Sequence, residues 1–152
     1  MNDKAGVIAP PPLIFAASVV LGLLVGRVYP VALLPAALAR PVGILLLLVP
    51  VPIAVSALRE LRKARTPVDP YKPTSAIVRT GAFGFSRNPL YVSLILVTLG
   101  IACLSNSLWI FLFLVPAVVV LRFGVIAREE AYLDRKFGDD YRRYKTGVRR
   151  WL

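Results

Sequence analysis

Apolar residues come in four runs, each bounded by charge, proline or a polar turn. The first, Leu13 to Tyr29, reads LIFAASVVLGLLVGRVY and follows three prolines. A proline start suits a helix, because the first turn leaves its N–H groups unpaired anyway. The second, Pro41 to Leu58, reads PVGILLLLVPVPIAVSAL and carries Pro50 and Pro52. Each removes a backbone donor, which predicts a kink. Kinked membrane helices border cavities, where the freed carbonyls find partners. Pro89 to Leu104 and Leu108 to Ala127 are joined by Ser105-Asn106-Ser107, an uncharged turn short enough to predict a tight antiparallel hairpin. Each run comes near the roughly 20 residues that carry a helix across about 30 Å of hydrocarbon. The predicted fold class is an all-α integral membrane protein, one domain over 1–152. Four transmembrane helices span about 13–29, 41–58, 89–104 and 108–127. A cytoplasmic loop covers 59–88, and a C-terminal amphipathic cytoplasmic helix covers 128–148.

Composition agrees with a membrane setting. Of 152 residues, 57% are hydrophobic, more than one soluble core of this size can hide. The apolar run near the N-terminus lacks a small-residue cleavage site after it, and is expected to be a retained anchor rather than a signal peptide. Cys103 is the single cysteine and there is no histidine. An intramolecular disulfide, a His/Cys metal site and a histidine base are thereby excluded.

Charge sets the expected orientation. Arg59, Arg62, Lys63, Arg65, Lys72, Arg79 and Arg87 lie between the second and third runs, and a second basic series from Arg128 to Arg150 follows the fourth. The opposite side offers little beyond Arg27 and Arg40. Basic loops stay cytoplasmic, so both termini are expected there, in a bacterial inner membrane. The net charge of +11 suits anionic lipid headgroups as partners. No nucleic-acid recognition fold is visible in the chain.

Two stretches carry candidate chemistry. In FGFSRNPLYVSLILVTLG, Arg87, Asn88, Pro89 and Tyr91 stand at the mouth of the third run. The plain reading is an Asn88 N-cap with Pro89 at the first helical position, and Arg87 and Tyr91 anchored among headgroups. The preceding connection, Thr66 to Ser86, is long, and loops of that length in compact domains tend to be functional or disordered. Ile77, Val78, Phe83 and Phe85 suit a solvated linker poorly, so it is expected to fold back onto the membrane face. In REEAYLDRKFGDDYRRYKTGVRRWL, Glu130, Leu133, Phe137, Tyr141, Tyr144 and Val148 are spaced 3, 4, 4, 3 and 4 apart, one face of a helix. An interfacial amphipathic helix explains that face. It does not explain Glu129 and Glu130 where the fourth helix leaves the membrane, a costly place for carboxylates without partners.

The loop TPVDPYKPTSAIVRTGAFGFSRNPLY, followed by Glu129, Glu130, Leu133, Phe137, Gly138, Tyr141 and Tyr144 in the pattern EExxLxxxFGxxYxxY, resembles the isoprenylcysteine carboxyl methyltransferase family, which includes bacterial phospholipid methyltransferases. The resemblance covers about Arg65 to Leu152. It implies an integral membrane enzyme that binds S-adenosylmethionine without a dinucleotide fold, and no Gly-x-Gly-x-x-Gly occurs here. It further implies a cofactor enclosed by the segment before the first motif, here Val78 and Gly81, by Asn88, Pro89 and Tyr91, and by Glu129 and Glu130. Arg87 and Glu130 become the catalytic candidates. A lipid-like acceptor would enter from the bilayer, and no metal is implied. Many members have histidine at the position of Asn88, which cannot titrate near neutral pH.

Methyl transfer from a sulfonium is an in-line displacement on an activated donor. A carboxylate or thiolate acceptor needs no base, and orientation with exclusion of water can supply about 7 to 11 kcal/mol. An amine acceptor would need a proton removed, by one of these carboxylates or Tyr141. On this reading Glu129 or Glu130 takes the cofactor's ammonium and Arg87 takes a carboxylate. Two other classes stay open: a membrane reductase using NADPH, and a non-catalytic membrane partner protein.

Overall fold

A computed structural model describes residues 5–152. Among the described residues it is all helix, with no strand. Helix α1 runs Pro11–Val28, α2 Ala36–Leu48 and α3 Pro50–Lys63. A 3-10 turn occupies Gly81–Gly84, and α4 covers Pro89–Leu104. Then α5, Leu108–Val120, passes through a π-helical turn at Leu121–Ile126 into α6, Ala127–Phe137, and α7 covers Asp139–Gly147.

Three of the resulting helices are long and apolar enough to cross a membrane: Pro11–Val28, the 28-residue Ala36–Lys63 and the 30-residue Leu108–Phe137; Pro89–Leu104 is apolar and shorter. The second is α2 and α3 end to end. The interruption falls at Val49, immediately before Pro50, and the helix extends further at both ends than the run of apolar residues. Val49 keeps helical dihedrals, so the two segments run on as one helix, and Pro50 and Pro52 interrupt only its hydrogen-bond ladder.

Helix α1 lies along α5, and α2 and α3 lie along α4, so the α4–α5 hairpin is central. Close approach at the α1–α5 contact depends on Gly22, where a Cβ would strike the backbone of Ile110. Asn106 fastens the hairpin turn to its surroundings. Its side-chain oxygen accepts from the Leu33 and Leu34 amides at 3.0 and 2.9 Å, and its amide donates to the Leu34 carbonyl.

The apolar run ends at Ala127, but the helix that carries it runs on to Phe137, with a π turn at Leu121–Ile126. One expectation needs correction: 128–148 is not one helix. Gly138 adopts φ +53 between α6 and α7, a conformation that a side chain resists. The face from Glu130 to Val148 is therefore folded in two, and Tyr141 and Tyr144 turn inward to become buried.

Candidate active site

The connection from Thr66 to Ser86 is ordered by specific bonds rather than by repeating structure. Its start is pinned by the Thr66 hydroxyl, which shares a hydrogen with Ser75 at 2.9 Å and accepts from the Ala76 amide at 3.2 Å. Its middle is held by the Thr74 amide donating to the Tyr132 hydroxyl at 3.2 Å. Its end is held by the Ala82 amide donating to Ser56 Oγ at 3.0 Å and by the Tyr144 hydroxyl donating to the Phe83 carbonyl at 2.7 Å. The loop does fold back, and it roofs a cavity. Ile77, Val78 and Phe83 line that cavity, whereas Phe85 points outward and is 79% exposed.

The cavity has a volume of about 920 Å³, within the size range of cofactor and ligand sites. One end is apolar and reaches into the helices through Leu47, Val51, Ala54, Leu94 and Val97; the other is charged, through Arg87, Glu129 and Glu130, with Tyr141 and Tyr144 beside them. Asn88, Pro89 and Tyr91 also line it. Gly81 does not; it sits against Ser56 and Glu60 of α3.

The plain reading of the first motif fails in detail. Asn88 occupies the N-cap position of α4 but makes no capping bond. Its amide instead donates to the Arg150 carbonyl at 2.9 Å. Arg87 and Tyr91 both engage carboxylates of the second motif. The Tyr91 hydroxyl donates to Glu129 Oε1 at 2.7 Å, and Arg87 Nη2 stands 3.2 Å from Glu130 Oε1. The two motifs therefore meet, residue against residue, at the charged end of the cavity.

Glu130 also receives a two-pronged bond from Arg150, Nε to Oε1 at 2.8 Å and Nη2 to Oε2 at 2.7 Å. Nothing in the sequence singled out Arg150 from the surrounding basic run, since its partners lie 20 and 62 residues away. Arg87 is 9% exposed, and its Nε and Nη1 have no hydrogen-bond partner among the described residues. A buried guanidinium with unused donors is costly, and an anionic ligand group would satisfy it. The residues present thus fit a ligand carrying both a carboxylate and a cation.

Burial pushes the Tyr141 phenol up to about 12, with Glu130 adding to the shift, so it stays protonated at neutral pH. Tyr144 is raised as well, again chiefly by burial. Tyr144 donates to the Phe83 carbonyl, and neither phenol is poised as a base at neutral pH. Among the described residues no cluster of histidine, cysteine or carboxylate could hold a metal ion.

Comparison with known proteins adds the family. An uncharacterized protein of Haemophilus influenzae is 51% identical over 65 residues, which are 41% of this chain and the whole of that protein. No solved structure matches significantly. The family model for phospholipid methyltransferase matches residues 38–140, a stretch that includes the loop that roofs the cavity, the first motif and the second motif from Glu129 to Gly138. The chain belongs to the phospholipid methyltransferase family, that of the isoprenylcysteine carboxyl methyltransferase-like proteins, and its apolar helices make it a membrane methyltransferase.

Proposed function

We propose that this chain is an S-adenosylmethionine-dependent methyltransferase acting on a lipid-like or isoprenoid acceptor. The observation that carries this reading is the two-ended cavity. Unsatisfied Arg87 donors stand beside two carboxylates at one end, and an apolar channel leads from there between α3 and α4.

When bound, the cofactor supplies a sulfonium-activated methyl group. Arg87 binds a carboxylate through its free donors, and the Glu129–Glu130 pair receives a cation. Val78, Asn88, Pro89 and Tyr91 form the wall around them, and the loop over 66–86 keeps water out, which strengthens every charge contact inside. Leu47, Val51, Ala54 and Val97 hold the hydrocarbon of the acceptor. Because Tyr141 keeps its proton, an acceptor that is already anionic, a carboxylate or a thiolate, suits the site best. A phospholipid amine would have to lose a proton, and with both carboxylates assigned to a cation the site offers it no free base.

In this reading α1, the α2–α3 pair, α4 and α5 are four spans, both termini are cytoplasmic, and the membrane is the bacterial inner one. The basic residues around α3, α6 and α7 rest on anionic headgroups.

Calorimetric titration of the detergent-solubilised chain with S-adenosylmethionine, and separately with NADPH, tests the cofactor. Saturable binding of S-adenosylmethionine is expected. Binding of NADPH alone would instead indicate a reductase, and binding of neither a partner protein.

A further inference from the structure

The residues after α7 have no part in the scheme above, yet they are tied to the charged end of the cavity at several points. The Arg87 amide donates to the Arg149 carbonyl at 3.0 Å. The Arg150 carbonyl accepts from the Asn88 amide at 2.9 Å and from the Ser86 hydroxyl at 3.4 Å. Trp151 packs against the core that includes Phe15, Leu121 and Tyr132. Packing by Trp151 would be enough to dock a tail. What docking does not require is the fork of Arg150 on Glu130, which occupies both carboxylate oxygens while Arg87 stands against the same carboxylate.

The neighbouring carboxylate is placed differently. Glu129 accepts from the Tyr91 hydroxyl, and no cation among the described residues lies within ion-pair distance of it. One glutamate is thus shared by two guanidiniums, and the other has a neutral partner. A further cation brought to Glu130 would meet two like charges; brought to Glu129, whose carboxyl burial holds toward its neutral form, it would meet no guanidinium and would itself favour the carboxylate. At separations of a few ångströms in partly buried surroundings, that difference decides the site.

We propose that Arg150 is a positioning residue: it commits Glu130 to holding the C-terminal segment beside the charged end of the cavity, and so leaves Glu129 as the carboxylate that receives the cationic end of a bound ligand. The assignment rests on the methyltransferase reading and divides between two residues what that reading gives to the pair. Charge-assisted bonds of this kind are short, geometrically demanding and about twice as strong as neutral ones. Arg150 therefore holds Glu130 in one orientation and keeps it out of competition for the ligand.

The test is a pair of titrations of the full chain in detergent. S-adenosylhomocysteine carries an ammonium and a carboxylate; methylthioadenosine lacks both. Glu129→Gln should weaken S-adenosylhomocysteine about tenfold or more and leave methylthioadenosine within about twofold. Arg150→Ala should weaken both ligands together and increase amide exchange over Arg149–Leu152, with partial recovery in Arg150→Lys. Added to Glu129→Gln, Arg150→Ala releases Glu130 and should restore the ratio of the two affinities by about threefold. An Arg150 that merely supports the fold would leave that ratio unmoved.

Selective loss of S-adenosylhomocysteine in Glu130→Gln, with Glu129→Gln binding like wild type, would overturn the proposal. If wild type binds neither nucleoside, the methyltransferase reading itself fails and this assignment with it. That outcome is distinct from a wild type that binds both and a Glu129→Gln variant that does too, which removes the assignment alone.

Discussion

Tyr91 on α4 donates its hydroxyl hydrogen to Glu129 on α6 at 2.7 Å, a single bond that joins the two motifs of the chain across 38 residues. Among the described residues it is the hydrogen-bond donor that this half-buried carboxylate has. Tyr91→Phe removes it and keeps the ring, so the expected effect is a loss of about 1–3 kcal/mol in stability. The thermal unfolding midpoint in detergent would fall, together with affinity for S-adenosylmethionine. An unchanged midpoint and affinity would mean that Glu129 finds its partner elsewhere.

Asn88 tethers the tail through the Arg150 carbonyl. In Asn88→Asp the side chain can only accept when ionised, so it would face that carbonyl with no hydrogen to offer. The tail residues Arg149–Leu152 should then exchange their amides faster and become open to proteolysis, at a cost of about 1–3 kcal/mol. Asn88→Ala should loosen the tail less, because it removes a bond without adding a repulsion.

The break at Gly138 turns Tyr141 and Tyr144 toward the cavity. Gly138→Ala forces a side chain into the left-handed region at about 1–2 kcal/mol. If α6 and α7 straighten in response, both phenols leave the cavity wall. The readout is loss of cofactor affinity exceeding the loss of stability; a fall in stability alone would show that the turn tolerates the substitution.

Much of this arrangement is legible in the sequence, and what is not has a physical reason. Pro50 announces the interrupted hydrogen-bond ladder between α2 and α3, and Ser105-Asn106-Ser107 announces the hairpin, because proline and short polar turns act locally. That the two motifs enclose one pocket follows from motif resemblance alone, and the direct contacts of Tyr91 with Glu129 and of Arg87 with Glu130 are not legible, since local periodicity says nothing about residues 38 or more apart. Arg150 is hidden among Arg142, Arg143, Lys145 and Arg149, identical in kind and separable only by burial and geometry. Gly138 is visible as a glycine, but a helical spacing that continues through it reads as one helix until the positive φ is seen.

The buried phenols give the protein a dependence on alkaline pH. The Tyr141 phenol is raised in the folded chain to about 12, against about 10 for a free phenol. In that interval the unfolded chain releases the proton and the folded chain keeps it, so the unfolded state binds fewer protons and stability falls as pH rises. The stabilising contribution is fully present below pH about 10 and is lost between about 10 and 12. Across that interval the unfolding midpoint should decline, with Tyr144 acting in the same direction. Tyr141→Phe should make the decline shallower; an equally steep decline would assign it to other groups.

The central claim is methyl transfer from S-adenosylmethionine to an acceptor held in the apolar end of the cavity. The most direct measurement is transfer of an isotopically labelled methyl group from that cofactor into a total bacterial lipid extract by the purified chain, beside Val97→Trp, which fills the channel without touching Arg87, Glu129 or Glu130. Label in the lipid-soluble fraction, reduced several-fold in Val97→Trp while cofactor affinity is kept, is the expected result. Equal labelling by both proteins would remove the acceptor from that channel, and no labelling from any lipid class despite tight cofactor binding would contradict a lipid-like acceptor.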